Sequence, residues 1–181
     1  GTDEEASTLL AELYYKRAEF SKEADEKTRW LSKVLDVNES HPLHNRFNRS
    51  LQESLTSLCD IAKTYCKSGD KGKAFGIADR ISSYWSHWIP LYVCLREFTK
   101  EAEATLNDRI KFDAETLKKI VSNCPSCKDY DSDIFRSLWN GYSSIIIKKS
   151  QSQPNEKAIK SLSMLKKAVL DYAPVSFVSE K

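Results

Sequence analysis

Glycine and proline are scarce in this chain, five of each in 181 residues, and long stretches have neither. An all-β fold needs a turn signal every ten residues or so, and the scarcity argues against one. No apolar run approaches the ~18 residues that a membrane-spanning helix requires. No GxSxG, Gly-rich phosphate loop or HExxH occurs, so hydrolase, nucleotide-binding and zinc-protease chemistry have no motif to stand on. A one-sided charge is missing too: the formal net charge is +2, too small for a whole-molecule field that gathers nucleic acid or anionic lipid. The opening "GTDEEAST" is acidic and does not read as a signal peptide. It begins without Met, as a piece of a longer protein would. Five cysteines are an odd, scattered number in a chain long enough to bury a core without staples. Reduced thiols in the cytosol or nucleus fit that usage.

What remains is helical periodicity. Residues 3–37 hold no Gly or Pro, and Leu9, Leu13, Phe20, Ala24, Leu31 and Val34 recur in steps of three, four or seven. That spacing predicts a helical stripe, with a break possible near Ser21. "VNESHPLHN" reads as a loop. The next helix runs to about Cys66 on Phe47, Leu51, Leu55, Leu58, Ala62 and Tyr65. "KSGD" ends it, with Gly69 as C-terminal cap and Asp70 as the next N-cap. A short helix follows, with Ala74, Phe75, Ile77, Ala78 and Ile81 inward. Gly72 and Gly76 weaken it, and close helix–helix approach is the expected reason for them. Ser82 or Ser83 caps a helix through Pro90 to about Asn107, or the helix starts afresh at Trp88. Asp113 is expected as the N-cap of a further helix, with Phe112 and Leu117 as a hydrophobic staple. Two more helices are expected around Ile134–Lys149 and after Pro154. The expectation is one all-α domain of about seven helices in antiparallel pairs, an α-solenoid or a compact bundle, with residues 1–8 and 174–181 as loose ends.

The segment "LCDIAKTYCKSGDKGKAFGIADRI" carries the sharpest local pattern. Ile61, Ala62 and Tyr65 precede Gly69, and Ala74, Ala78 and Ile81 follow it. This resembles a tetratricopeptide repeat, in which small residues sit where two helices cross and an aromatic lies beside the turn. Weaker echoes appear around Ala11, Tyr15 and Ala24, and around Gly141, Tyr142, Ala158 and Pro174. The copies are not spaced at the family's 34 residues, and residues 82–130 fit poorly. The resemblance implies a scaffold that binds peptides or proteins and has no chemistry or cofactor of its own.

Candidate site residues follow, each beside its plainer reading. Cys124 and Cys127 form half a zinc site, and His41 and His44 could supply the other half. Asn123-Cys124-Pro125 is also an ordinary helix stop. Cys59, Cys66 and Cys94 lie on apolar stripes and read as small buried hydrophobes. Trp85 and Trp88 share one helical face with Tyr92. They are core, or they line a groove rimmed by Tyr84 and His87 where a partner's side chain docks. Arg46 and Arg49 make a basic corner that is solvated, or grips an acidic group or phosphate. The charge is uneven along the chain. Asp3, Glu4, Glu5, Glu12, Glu19, Glu23, Asp25, Glu26, Asp36 and Glu39 load the start, while Lys148, Lys149, Lys157, Lys160, Lys166 and Lys167 load the end. Solvated helix faces account for both.

The reading is an adaptor that holds a protein segment at Arg46, Arg49, Tyr84, Trp85, His87 and Trp88, without membrane or metal. The alternative is a nucleic-acid-associated protein that uses the basic C-terminal side. Far-UV circular dichroism is expected to show helix with little β content, and a substantial β signal contradicts the fold class.

Overall fold

In the computed structural model, residues 2–41, 49–96 and 100–123 are described, together with residues 160, 163, 164, 166, 167, 170 and 171. They form six helices: α1 (Thr2–Phe20), α2 (Ala24–Ser40), α3 (Arg49–Lys67), α4 (Lys71–Arg80), α5 (Trp85–Arg96) and α6 (Lys100–Asn123). No strand occurs among the described residues, so the fold is all-α. The helix expected around Ile134–Lys149 lies outside the described residues; the described positions between 160 and 171 are helical. No described helix is long and apolar enough to cross a membrane. The chain divides into two units, Gly1–Leu91 and Tyr92–Lys181, and the division falls within α5.

In the first unit each helix packs on the next, α1 on α2, α2 on α3 and α3 on α4, and α1 also reaches α3. The expected break near Ser21 is where α1 ends. Ser21 N–H donates to Ala18 O at 3.2 Å and its hydroxyl donates to Arg17 O at 3.0 Å. Glu23 then takes an extended backbone and starts α2, though its side chain makes no capping bond. Breaking the rod into two helices changes which face of α1 is buried. Leu9, Leu13 and Phe20 were expected inward but are 65%, 64% and 82% exposed. Ala11 and Ala18 are fully buried instead, and Ala11 joins Val34 and Val37 with Tyr14 and Tyr15 packed on them. Small residues let α1 lie close against α2, which the bulkier stripe would have prevented.

Of the expected α3 stripe, Leu51, Leu55, Leu58 and Ala62 are buried at helical spacing, Tyr65 is only partly buried, and Phe47 lies outside the described residues; Cys59 and Cys66 are buried beside them. The chain then reverses within three residues. Gly69 N–H donates to Cys66 O and Asp70 N–H donates to Tyr65 O, the two bonds of a Schellman turn. Gly69 sits at φ +89°, where a Cβ is strained. Asp70 also begins α4, its carboxylate accepting from Lys73 N–H at 3.2 Å. Ala62, Ala74, Ala78 and Ile81 are completely buried, as expected. The reason given for Gly72 and Gly76 needs correction. A Cβ at Gly76 would meet nothing within 4 Å, and one at Gly72 would meet Asp70 Oδ1 at 3.9 Å. Close approach at this crossing is carried by alanines.

Ser82 and Ser83 lie in a turn, and Tyr84 O accepts from His87 and Trp88 N–H as α5 begins at Trp85. Pro90 therefore stands inside α5, neither at its seventh residue from a Ser82 or Ser83 cap nor in its first turn. In α6 the expected helix start at Asp113 does not exist, because α6 already runs from Lys100. Asp113 is fully buried in mid-helix, and Arg109 one turn earlier holds its carboxylate at 3.0 Å. Phe112 is 58% exposed with the Arg109 guanidinium over its ring, and so does not act as a staple.

These environments set opposite signs for two glycines. Gly69→Ala is expected to lower stability by about 1 kcal/mol or more, and Gly76→Ala to raise it by up to about 1 kcal/mol. Urea denaturation of the two variants checks this.

Candidate functional site

The short reversal at Gly69 returns α4 alongside α2, with α3 beneath both. Lys73, early in α4, meets Asp25, early in α2; Arg80, late in α4, meets Asp36 and Glu39, late in α2. The two helices therefore run parallel and enclose a groove of about 380 Å³. Leu58 and Ile77 make its apolar floor with Gly76, and Thr28 and Ser32 line the α2 wall. Both hydroxyls donate to carbonyls one turn back, Thr28 to Ala24 O and Ser32 to Thr28 O, as helical Ser and Thr commonly do.

The ends of the groove are charged. At one end Lys73 Nζ lies 2.7 and 2.9 Å from the two Asp25 oxygens, and the Tyr65 hydroxyl donates to Asp25 Oδ1 at 2.5 Å. Lys73 also sits 5.1 Å from the Tyr65 ring centroid. At the other end the Arg80 guanidinium forks to Asp36 at 2.6 Å and Glu39 at 2.7 Å. Its Nη2 also reaches Ser32 O at 3.4 Å. The hydrogen bond from Lys73, and after it the one from Tyr65, holds the Asp25 carboxyl below its ordinary range. The same bond to Asp25 holds the Lys73 ammonium above its ordinary range. Tyr65 is raised, first by burial and then by its bond to Asp25. Burial alone would lower Arg80, but Glu39 and Asp36 together raise it.

The residues singled out by sequence do not converge here. Trp88 is 1% exposed and belongs to the core, and it is not among the residues that line the α2–α4 groove. The Trp85 side chain and Arg46 lie outside the described residues. Arg49 is exposed and bound to Glu53 at 2.7 Å. Tyr84 is half-buried; its hydroxyl accepts from Asn38 at 3.1 Å, and burial raises its pKa. His87 is half-buried, and burial lowers its pKa, favouring the neutral imidazole. Ser86 Oγ is 3.1 Å from its Nδ1, while the His87 carbonyl accepts from the Cys59 thiol. No carboxylate among its described partners orients the ring as a catalytic His needs.

His41 caps the C-terminus of α2, while His44, Cys124 and Cys127 lie outside the described residues. Among the described residues no three of His, Cys, Asp and Glu come together as a metal site. Cys59 and Cys66 are buried, but Cys94 is only partly so. Burial pushes the Cys59 thiol up to about 11. Of the C-terminal lysines, Lys160, Lys166 and Lys167 are exposed, and Lys148, Lys149 and Lys157 lie outside the described residues.

Sequence reading missed Asp25, Lys73 and Arg80 as partners. The pairs are 40 to 48 residues apart along the chain, and nothing in local spacing announces them. Comparison of the chain with protein-family models, with curated proteins and with solved structures returned no match.

The triad at Asp25 has a defined pH window. The depressed carboxylate contributes stability above the ordinary Asp range, and the contribution is lost as pH falls through its folded pKa. The raised Tyr65 and Lys73 contribute below their ordinary range near 10, and lose that contribution as pH rises through their folded pKa values. In an NMR titration Asp25 is expected to titrate below an ordinary Asp, and Lys73→Met to move its midpoint upward. An unmoved midpoint contradicts the pairing.

Proposed function

We propose that this chain is a non-catalytic interaction module, an adaptor that receives a short protein segment in the groove between α2 and α4. One observation carries the reading. A groove walled by Thr28, Ser32 and Gly76, with the buried Leu58 and Ile77 beneath, lies between two helices that ion pairs clamp together at both ends. A groove held in shape before a ligand arrives loses less entropy on binding. Its volume suits one or two apolar side chains of an extended or helical segment, with the charged ends fixing orientation. The resemblance of α3 and α4 to a tetratricopeptide hairpin supports the same reading, since Ala62 and Ala74 are buried where such helices cross. The groove's Thr and Ser hydroxyls already donate to the backbone, and the carboxylate among its lining residues, Asp25, is held by Lys73 and Tyr65, which favours holding over transforming. A cytosolic or nuclear setting fits the unbridged thiols at Cys59 and Cys94.

Gly76 provides the test, because it lines the groove and a Cβ added there meets nothing within 4 Å. Peptides selected from a displayed random library against the whole chain are expected to bind Gly76→Phe at least tenfold more weakly. The variant's melting temperature is expected not to fall. Selected peptides that bind both proteins equally contradict the reading.

A further inference from the structure

A second surface on the α1–α2 hairpin has the make-up of a ligand site, and it does not share the groove's face of α2. Asp25, Thr28 and Ser32 face the groove. Glu26, Trp30 and Lys33 belong to the other surface. There the Trp30 indole stacks on the Tyr14 ring of α1, with centroids 5.8 Å apart and planes at 26°. Both rings are partly exposed. Three cations gather on this pair: Arg17 at 5.6 Å, Arg29 at 5.3 Å and Lys33 at 5.9 Å from the Trp30 centroid. Lys33 also lies 5.5 Å from the Tyr14 ring.

The charge here is not balanced. Arg17 and Lys33 have no carboxylate partner among the described residues, and Arg29 reaches Glu26 only at 4.0 Å. Glu26 Oε1 accepts from the indole N–H at 3.3 Å, which orients the ring. Cation–π attraction offers each cation about 0.5–1 kcal/mol at an exposed site. Cations this close repel one another within a Debye length, so an anion that bridges them relieves the repulsion. The cations also stand on long stems, exposed at Arg17 and Arg29 and partly so at Lys33, that can swing off the ring while remaining within reach of an incoming phosphate.

We infer that the Tyr14–Trp30 stack and its cations, Arg17, Arg29 and Lys33, form a binding site for single-stranded nucleic acid, one base stacking on the aromatic pair and the flanking phosphates taken by the cations. Two features favour a strand over a phosphorylated peptide. A phosphopeptide uses the cations alone, whereas a strand uses the cations and the aromatic face together. The cations also come from two helices, Arg17 from α1 and Arg29 and Lys33 from α2, and Lys33 reaches both rings, which suits phosphates on either side of a base. The modest net charge of the chain is no obstacle, because the local group is what meets the backbone.

The test uses the whole 181-residue chain and fluorescence anisotropy with a labelled single strand of about 12 nucleotides, as RNA and as DNA. A duplex of equal length and a phosphoserine peptide serve as competitors. At low salt, about 50 mM, the strand is expected to bind in at least one of its two forms, and at least tenfold more tightly than the duplex. Trp30→Leu is expected to weaken binding at least tenfold, and Trp30→Phe to keep affinity within about threefold, because stacking is what the ring supplies. Trp30 is partly buried, so circular dichroism accompanies these variants. The variant with Arg17→Gln and Lys33→Gln leaves the rings in place, and should flatten the slope of log affinity against log salt by about 1.4. The proposal is overturned if neither strand binds, if the charge variant binds with unchanged affinity and slope, or if the phosphopeptide displaces the strand stoichiometrically and binds more tightly. Loss of this binding in a protein whose groove still takes its peptide separates this site from the groove.

Discussion

Ser68, Gly69 and Asp70 carry the chain from α3 into α4, and the α2–α4 groove depends on how short that reversal is. Gly69 takes the positive φ that a Schellman turn needs, and Asp70 closes one helix with its N–H while opening the next with its carboxylate. A longer link would free α4 to settle elsewhere on α3. Because it cannot, Lys73 comes within reach of Asp25, and Arg80 within reach of Asp36 and Glu39. Alanines at the crossing then bring the backbones together and leave the larger side chains, Leu58 and Ile77, to floor the space between α2 and α4.

The ion pairs of the groove act as spacers more than as sources of stability. Exposed pairs contribute little, because solvent screens them and ordering their long side chains costs entropy. Asp25 and Lys73 are well exposed, so their value lies in fixing the distance between two parallel helices. Arg80 is more sheltered, and its fork to two carboxylates has one well-defined geometry. The Tyr14–Trp30 surface has the reverse character. Its cations converge on aromatic faces, and of the three only Arg29 has a carboxylate partner among the described residues, Glu26 at 4.0 Å. Two surfaces of α2 thus differ in make-up, a groove closed by ion pairs on one and an aromatic pair under cations on the other.

Several features were legible because they are local. The cap at Gly69 and Asp70 and the α3 stripe of Leu51, Leu55, Leu58 and Ala62 depend on residues within one or two turns, and the chain realises them as read. Errors arose where two helical stripes competed. On α1, Ser7, Ala11 and Ala18 recur at much the same spacing as Leu9, Leu13 and Phe20, and periodicity alone does not choose between them. The smaller stripe is buried because α2 folds back close enough to require it. At Asp113 the capping signature was genuine, but α6 was already helical from Lys100, and Arg109 gave the carboxylate a partner inside the helix. Trp85 and Trp88 drew attention by composition, yet Trp88 lies in the core, where a large ring buries most area.

From the residues alone came the fold class, the helix-ending turn and the absence of familiar catalytic motifs, since capping, periodicity and propensity act over a few neighbouring positions. Tertiary structure decided which face of each helix is hidden and which charges meet. Asp25 and Lys73 are 48 residues apart, and Tyr14 and Trp30 belong to different helices. Contacts of that kind depend on where whole helices come to rest, which packing settles and no local pattern records.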